Sequence, residues 1–480
     1  MIKKVPSGAF LRRFFTSPPY AAVRSFFMQS KSYDMCEGPL ISRVILYTIP
    51  IILTGILQLL FNAADLVVVG RCCGSNSVGA VGATGAIINL MVNLFIGLSV
   101  GAGVTVAHGI GSGRSEDVHR TVHTAIPTAV ISGAILTVIG VSFSESFLRM
   151  MNTPPEQLHL AGSYMRIYFC GIIASMLYNF GSAILRAAGD TKSPLYFLTA
   201  AGVLNVILNL IFVIAFRMDV AGVALATTIS QTVSAALIIR ALMKRDDACR
   251  LELKKLHIYG RQLKRILQIG FPAGIQSSLF AISNVIIQSS INSFGSVATS
   301  GNAAAQNIEG FVYTSMNSYS QTALNFTGQN YGAGKLDRIR RIMWVCLISV
   351  FVTGLALGLA ALFFGRSLLS IYITDSESAI DYGIIRMTYI MIPYFLCGLM
   401  DVATGLIRGL GRSVLPMLIT IAGVVGMRLG WIYIVFRIPK YHTLKSLYLS
   451  YMISWALTFA AEIIVFIVIM RKIKKKRLKQ

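Results

Sequence analysis

Residues 330–342 read NYGAGKLDRIRRI, and residues 109–122 read GIGSGRSEDVHRTV. Both stretches place small residues directly after an apolar run and continue into a basic amphipathic segment. The glycines and the lysine of the first stretch raise the question of a phosphate-binding loop, but a Walker loop needs G-x-x-x-x-G-K-[ST] after a strand. Gln329 stands where the first glycine belongs, and Leu336 follows Lys335. We therefore predict one kind of turn between membrane helices, used twice, and no ATP-driven activity.

The composition is that of a membrane protein. The chain has 480 residues, of which 55% are hydrophobic and 13% are charged, whereas about a quarter of the residues in soluble domains are charged. An apolar run of about 20 residues can cross the hydrocarbon as a helix. We therefore predict an all-α integral membrane protein with twelve transmembrane helices. In chain order these predicted spans cover residues 44–68, 82–108, 121–143, 163–187, 194–216, 219–243, 266–293, 303–328, 342–364, 384–408, 414–436 and 447–470.

The two quoted stretches belong to an internal repeat that covers most of the chain. At an offset of 222 residues, Pro50 meets Pro272 and Asn62 meets Asn284. The strings MRIYFCG and MTYIMIP agree at the same offset, as do LRAAGDTKSP and IRGLGRSVLP. Each half holds six predicted spans, so both halves enter the membrane the same way round. We therefore predict two six-helix repeats related by a pseudo-two-fold axis along the membrane normal.

The positive charge follows the predicted topology. The formal net charge is +24, and Lys and Arg concentrate at both ends, in every second loop and in the segment between the halves. The positive-inside rule therefore puts both termini in the cytoplasm of a bacterial cell, with the chain as a multi-pass protein of the cytoplasmic (inner) membrane. These charges would contact anionic membrane lipids, and we expect no nucleic acid partner. The predicted segments are a basic N-terminal extension (1–36), an N-terminal six-helix lobe (37–243), a cytoplasmic basic linker (244–265), a C-terminal six-helix lobe (266–470) and a basic cytoplasmic tail (471–480).

An acid inside the membrane is a candidate for function, because a charge there is costly. Asp65 lies deep in the first predicted span, with Asn62 one turn away on the same helix face. Asn205, Asn209 and Thr227 in later spans offer further amide and hydroxyl oxygens. Such a set suits H⁺ or Na⁺, and Na⁺ at Asp65 is the one metal ion that we expect. The alternative is that Asp65 pairs with a fixed donor and that the asparagines only hold helices together.

The second half carries its charges elsewhere. Arg428 lies in the middle of a predicted span, and a buried arginine needs a carboxylate. Glu309 and Asp401 are the candidate partners, and the three residues form a predicted charge network that either pairs ions for structure or gating, or contacts substrate. For Glu462 we expect hydrogen bonding between helices or a place at the lipid interface.

The predicted eighth span, 303–328, is unusually polar, and most of its polar side chains cannot face lipid. We therefore predict a water-filled cavity between the halves. The residues expected to line it are Asn179, Gln276, Asn284, Gln306, Asn307, Asn317 and Gln321.

The strings EGPL, QLLFNAADLVVVGR, NLFIGLSVGAGV, LRAAGD, NIEGFVYTSMNSYSQTALNFTGQNYGAGK and LIRGLG carry a resemblance to a known family. From about Glu37 to Ile469 the chain resembles multidrug and toxic compound extrusion (MATE) transporters, of the DinF-like bacterial branch. The resemblance implies a V-shaped fold and alternating access driven by inward H⁺ or Na⁺. It also implies that Asp65 is a coupling residue. Asn209 departs from the family pattern, which usually has Asp at that position.

These observations predict a secondary active antiporter that exports amphipathic or cationic drugs and toxic compounds. Its partners would be small-molecule substrates and membrane lipids, and we expect a monomer without a cofactor other than the coupling ion. Two alternatives stay open within the same superfamily, which are an exporter of a single metabolite and a lipid-linked sugar flippase. The flippase would need a cationic cavity, for which only Arg428 is well placed in the sequence. An enzyme is not expected, because no nucleophile–base pair stands out.

Overall fold

The computed structural model describes residues 34–151, 153–374 and 376–477, so most of the predicted N-terminal extension lies outside the described residues. The first lobe holds six membrane spans, numbered here in chain order. They are span 1 (Leu40–Cys72), span 2 (Ser75–Gly111), span 3 (Ser115–Met150), span 4 (the helix pair Pro155–Cys170 and Ile172–Ala187), span 5 (Lys192–Leu210, continued by a π-helix, Ile211–Ala215) and span 6 (Asp219–Met243).

The linker holds one 3₁₀ turn, Leu253–Lys255. The second lobe repeats the plan with span 7 (Gly260–Asn292), span 8 (Ser296–Gly332), span 9 (Leu336–Phe363, followed by a short helix, Gly365–Ser370) and span 10 (the helix pair Glu377–Met391 and Phe395–Gly409). Span 11 alternates between α-helix and π-helix, as Val414–Thr420, Ile421–Gly426, Met427–Gly430 and Trp431–Val435. A 3₁₀ turn, Pro439–Tyr441, leads to span 12 (Leu444–Arg477).

The twelve predicted spans are confirmed. Within the described residues, nine helices are long and apolar enough to cross a membrane, and the bent pairs of spans 4 and 10 bring the number to eleven. Span 8 is the twelfth. It has 37 residues, which is ample length, but its polar side chains at Ser318, Thr322 and Asn325 are buried against other helices rather than exposed to lipid. Its polarity is therefore tolerated because protein surrounds it.

Two hydrophobic cores correspond to the two lobes, with one exchange between them. The start of span 1, with Tyr47 and Ile51, packs into the core that spans 7–12 build. Ile266 at the start of span 7 packs into the core of spans 2–6. Since spans 1 and 7 are equivalent in the repeat, the exchange obeys the pseudo-two-fold relation. The packing boundary between the lobes therefore falls inside these two helices and not at the predicted linker.

The lobes approach each other most closely where spans 2 and 7 cross. Gly97 and Gly101 of span 2 face Gly270 and Gly274 of span 7, each pair one turn apart on its helix. A Cβ atom at Gly97 would lie 2.3 Å from the backbone nitrogen of Gly274, and one at Gly101 would lie 2.2 Å from the carbonyl oxygen of Ile266. Backbone therefore packs on backbone, which only small residues allow at a helix crossing in a membrane.

Hydrogen bonds also join the two lobes near Gly111 and Gly332, where spans 2 and 8 end. His108 Nε2 lies 2.7 Å from the carbonyl oxygen of Gly409, and Gln329 Nε2 donates to the carbonyl oxygen of Ala187 over 2.7 Å. These bonds join opposite lobes at one end of the molecule. Such a joined end is what the V shape implied by the family resemblance requires.

The segment before span 1 is held at the same end by the stretch that follows span 8. Asn330 Nδ2 donates to the carbonyl oxygen of Met35 over 3.0 Å, and Lys335 Nζ donates to that of Cys36 over 3.1 Å. Arg338 Nη2 donates to the carbonyl oxygen of Glu37 over 2.7 Å. The turn in NYGAGKLDRIRRI is thus a clamp on the start of the first lobe.

Replacing Gly101 with Ala should destabilise the protein by about 1–3 kcal/mol, because the added methyl group has no room at the crossing. Gly85→Ala in the same helix is the matched control, since no atom lies within 4 Å of the position that its new methyl group would occupy. That control should be neutral or slightly stabilising, as Ala favours helix over Gly. Thermal unfolding in detergent micelles measures both, and equal melting temperatures for the two variants would contradict the crossing as described.

Candidate functional site

A cavity of about 620 Å³ lies between the lobes. Its volume is within the range of pockets that hold drug-sized molecules, about 300–1,000 Å³. Spans 1, 2, 4, 5, 6 and 8 build most of its wall, and Ser277 of span 7 and Arg408 of span 10 complete it. The polar and charged side chains in the wall include Gln58, Asn62, Asp65, Asn89, Asn93, Asn179, Arg186, Asn205, Thr227, Gln231, Asn317, Gln321, Asn325 and Arg408.

Asp65 lies in this cavity beside amide and hydroxyl groups from spans 5 and 6. Asn209 Nδ2 donates to Asp65 Oδ1 over 2.5 Å and also lies 3.2 Å from Asn205 Oδ1. Asn205 Nδ2 in turn donates to Thr227 Oγ1 over 3.3 Å. The structure therefore brings together four of the residues that the sequence nominated for an ion site.

Asn62, the fifth nominated residue, lines the same cavity with an exposed side chain. Among the described residues no hydrogen bond joins it to Asp65, whose partners come from spans 5 and 6. No lysine, arginine or histidine in the described ranges forms an ion pair with Asp65 either. The carboxyl group is thus surrounded by neutral oxygen and nitrogen atoms and by the cavity.

The local backbone explains how span 5 presents these groups. Asn205 and Asn209 are one turn apart, so their side chains share a face. The α-helix ends at Leu210 and continues as the π-helix Ile211–Ala215, a feature common near functional sites. Asn209 Oδ1 is buried and has no hydrogen-bond partner in the part of the chain that is described. The site therefore keeps one oxygen acceptor free beside the carboxyl group.

The predicted ion pair of Arg428 is wrong. Its Nε donates to Ser454 Oγ over 3.1 Å, and its Nη1 donates to Asn284 Oδ1 over 3.3 Å. The guanidinium carbon lies 4.1 Å from the centre of the Tyr451 ring. Neutral oxygens and aromatic faces thus take the place of a carboxylate, which a guanidinium accepts because it stacks well and is weakly hydrated.

Glu309 instead pairs with Arg386, a residue that was not among the predicted members of the network. Arg386 Nε and Nη2 donate to the two oxygens of Glu309 over 2.6 and 2.7 Å, and Arg386 Nη1 donates to Asn302 Oδ1 over 2.7 Å. The side chains are only 2% and 8% exposed. The available signal was that Arg386 falls inside the predicted span 384–408, where an arginine needs a partner as much as Arg428 does.

Asp401, the remaining acid of the predicted network, does not pair with Arg428 either, and Glu462 was expected outside that network. Asn317 Nδ2 donates to Asp401 Oδ2 over 3.2 Å, and within the described residues Asp401 forms no ion pair. Asp401 thus lies behind the cavity wall, to which Asn317 belongs. Glu462 is hydrogen bonded to Thr404 and Thr420. It therefore bonds between helices, which is one of the two expectations for it.

The predicted cavity lining is correct in part. Asn179, Asn317 and Gln321 line the cavity. Gln306 and Asn307 do not, because they lie about 10 Å before Tyr313, the first residue of span 8 in the cavity wall, at 1.5 Å per residue.

Gln276 and Asn284 are not lining residues of this cavity either. Gln276 is buried between Arg408 and Thr420, and Asn284 accepts from Arg428. Both side chains are directed into the second lobe. A polar residue in a span therefore indicates that a polar neighbour exists, but the sequence does not show on which side of the helix it lies.

Two arginines of the cavity wall were also missed. Arg186 Nη1 donates to Gln321 Oε1 over 2.5 Å, and Arg408 Nη2 donates to Gln276 Oε1 over 2.8 Å. They occupy the same place in LRAAGD and LIRGLG, so the internal repeat was the signal that could have found them. The wall therefore combines one acid, Asp65, with two arginines that the repeat relates.

With a two-lobed helical fold and a polar cavity between the lobes, the molecule has the architecture of a transporter. The sequence model of the MatE family matches residues 50–211 and again residues 272–434. The two matches begin 222 residues apart, which is the offset of the internal repeat. The chain belongs to the MatE family.

Relatives agree with this assignment. The probable multidrug resistance protein YpnP of Bacillus subtilis (strain 168) is 27% identical over 381 residues, which are 79% of this chain and 85% of the relative. The FAD transporter of Shewanella oneidensis is 27% identical over 255 residues, 51% of this chain and 55% of the relative.

A solved structure of a multidrug resistance MATE family transporter in an outward-facing conformation superposes with a TM-score of 0.86. The alignment covers 93% of this chain and 100% of that one at 21% identity, so it shows the fold. The protein is therefore a multi-pass membrane protein of a transporter family whose matched relatives include multidrug resistance proteins. This agrees with the prediction that it is not an enzyme.

Replacing Arg386 with Ala should destabilise the second lobe strongly, by about 3–5 kcal/mol, because Glu309 would stay buried without a partner. Arg366→Ala is the matched control. Arg366 pairs with Asp381 over 2.6 Å, but both side chains are more than half exposed, so its loss should cost under about 1 kcal/mol. Thermal unfolding in detergent compares them, and similar shifts for the two variants would refute the ranking.

Proposed function

We propose that the protein is a secondary active antiporter that exports amphipathic or cationic compounds in exchange for inward H⁺ or Na⁺. The observation that carries the proposal is Asp65, a carboxyl group in the central cavity that has neutral oxygen-bearing neighbours and no basic partner among the described residues. Na⁺ binds amide, hydroxyl and carboxyl oxygens. H⁺ needs only the carboxylate.

Antiport follows from the shared location of this acid and the cavity. A carboxylate in a low-dielectric site is costly, so a cation that neutralises it binds favourably. A cationic substrate in the same cavity would use the same negative charge. The ion and the substrate therefore exclude each other, and each would stabilise a different conformation to the extent that its affinity differs between the two.

The proposal assigns the joined end of the molecule to the cytoplasm. The basic loops after spans 2 and 8 lie at that end, and the positive-inside rule favours their cytoplasmic side. The cavity would then be open outward, with both termini in the cytoplasm of a bacterium and the protein in its inner membrane. Inward opening would have to break the bonds that join the lobes at that end, from His108 to Gly409 and from Gln329 to Ala187. The basic ends would contact anionic lipids, and we propose a monomer without a cofactor.

A second candidate is export of an anionic metabolite. Arg186 and Arg408 both belong to the cavity wall, whereas the sequence had offered only Arg428 as a cation for such a ligand. Guanidinium groups bind carboxylates and phosphates well. The relative from Shewanella oneidensis is an FAD transporter, and FAD carries a pyrophosphate. A lipid-linked sugar with its pyrophosphate would need the same charges.

Asp65→Asn should abolish gradient-driven transport, because the amide cannot take up a proton and binds Na⁺ without a compensating charge. The assay uses proteoliposomes with an imposed H⁺ or Na⁺ gradient and a fluorescent organic cation. We expect the transport rate to fall at least tenfold, which corresponds to about 1.4 kcal/mol in free energy. The coupling ion is the one whose gradient drives transport by the wild type.

Glu145→Gln is the matched control, since Glu145 is an acid of the same lobe with 45% of its side chain exposed. It should transport at the wild-type rate. If Asp65→Asn did the same while folded, the proposal would be overturned. The second candidate is tested in parallel with a flavin nucleotide as the transported compound, for which Arg186→Gln and Arg408→Gln should reduce the rate.

A further inference from the structure

Glu462 is a second carboxyl group within the membrane that the proposed cycle leaves without a role. It lies in span 12, is 0% exposed, and contacts spans 10 and 11. Thr404 Oγ1 lies 2.8 Å from one of its carboxyl oxygens and 2.9 Å from the other, and Thr420 Oγ1 lies 3.3 Å from the first. Every hydrogen-bond partner described for this carboxyl group is therefore a hydroxyl.

The two short contacts with Thr404 fit a neutral Glu462. A threonine hydroxyl has one hydrogen to donate and can also accept. A neutral carboxyl group gives each contact its own hydrogen, because its O–H donates back to Thr404. A carboxylate would have to share the single threonine hydrogen between both oxygens in a bifurcated bond.

The charges around Glu462 also favour the neutral form. The charged groups that face it are Arg408 and Asp401, both from span 10, and neither forms an ion pair with it in the described ranges. Span 11 contributes only Thr420. An ionised Glu462 would thus be a fully buried charge without a direct counter-ion, which is a costly arrangement.

Two further arginines contact span 12 at another depth. Arg386 lies over the Tyr448 ring, and Arg428 bonds to Ser454 and lies over the Tyr451 and Trp455 rings. The nearest of these residues to Glu462 is Trp455, about 10 Å away along the helix at 1.5 Å per residue. Neither arginine therefore forms a direct ion pair with Glu462 in the described ranges.

A chain of hydrogen bonds connects Glu462 to the central cavity. Thr420 Oγ1 accepts from Gln276 Nε2 over 2.8 Å, which leaves the threonine hydrogen free to point at Glu462. Gln276 Oε1 accepts from Arg408 Nη2 over 2.8 Å. Arg408 is a wall residue of the cavity, and its buried Nε has no hydrogen-bond partner in the described part of the chain.

The backbone beside this chain is irregular. Span 11 changes from α-helix to the π-helix Ile421–Gly426 directly after Thr420. π-Helical turns frequently occur at functional sites. The π-helical turn begins directly after the residue that joins Gln276 to Glu462, so the hydrogen-bond chain passes beside an irregular segment of span 11.

We propose that Glu462 is a second proton-binding residue, which exchanges one proton with cavity water in each cycle and thereby sets the charge that Arg408 offers to a bound ligand. With the proton on Glu462, the positive charge of Arg408 is available to the cavity. When the proton leaves, the carboxylate attracts Arg408 through Gln276 and Thr420 and weakens its hold on an anionic group. Glu462 thus acts through Arg408 and does not touch the ligand. The exchange of this proton in each cycle rests on the proposed transport function. The presence of a proton on Glu462 does not.

The bound proton is tested by infrared spectroscopy of the purified protein at neutral pH. A protonated carboxyl group has its own carbonyl band, which Glu462→Gln should remove while leaving the melting temperature close to that of the wild type. Thr404→Val should shift the band by removing its partner, and Thr404→Ser should leave it in place. Identical carboxyl bands in the wild type and in Glu462→Gln would overturn the proposal whatever the transport assays show.

The effect on Arg408 is tested by binding of a fluorescent organic anion as pH is raised. In the wild type the affinity should fall by at least about fivefold, the lower end of typical coupling between sites. In Glu462→Gln the fall should be clearly smaller, since of these two carboxyl groups only Asp65 can still lose a proton; in Asp65→Asn/Glu462→Gln the affinity should stay constant. A merely structural role for Glu462 would preserve the pH dependence in that variant, and the same pH profile in both proteins would refute the link. Should Glu462→Gln fail to fold, Gln276→Leu breaks the chain instead and should flatten the profile equally.

Discussion

The close contact of spans 2 and 7 is the constraint on which the rest of the structure depends. Four glycines let the two backbones touch, and a side chain at Gly97 or Gly101 would push the lobes apart. This crossing holds spans 2 and 7 together well inside their lengths, and the bonds from His108 to Gly409 and from Gln329 to Ala187 join the lobes at one end, so separation is easiest toward the other. The central cavity is the space that this geometry leaves. The extended polar face of span 8 is stable for the same reason, since it lies against protein and cavity and not against lipid.

Charges at membrane depth are accommodated in three ways. Glu309 and Arg386 compensate each other in a bidentate pair, so their roles are structural. Arg428 lies on the Tyr451 ring and bonds to neutral oxygens. Asp65 has neither kind of compensation among the described residues and faces the cavity. A charge that the fold does not neutralise is available to an ion or a ligand, which separates Asp65 from acids that look equivalent in the sequence.

The spans and the repeat, which depend on residue pattern, could be predicted from the sequence. The partners of buried side chains, which depend on contacts between helices, could not. Apolar runs and the offset of 222 residues were sufficient for twelve spans in two parallel halves, and the spacing of Asn205 and Asn209 placed both on one face. The partner of Arg428 could not be predicted, because the contacts of a buried side chain depend on how helices are rotated against each other. Gln276 was misplaced for the same reason. The exchange of spans 1 and 7 between the two cores leaves no trace in hydropathy. Arg186 and Arg408 occupy equivalent positions of the repeat, but that equivalence does not reveal that both side chains reach the cavity.

The duplication has preserved some functional groups and separated others. Arg186 and Arg408 remain equivalent, and both reach the cavity. The carboxyl groups do not, since the offset takes Asp65 to Ile287, Asp401 to Asn179 and Glu462 to Arg240. The first lobe therefore presents Asp65 to the cavity, while in the second lobe Asp401 lies behind Asn317, Glu462 is buried with threonines and Glu309 pairs with Arg386. Two identical halves would respond to an ion in the same way, so a repeat with unlike acids gives each lobe a different dependence on proton or cation binding. In the cycle that we propose, this difference would let one lobe bind an ion while the other adjusts the charge presented to a ligand.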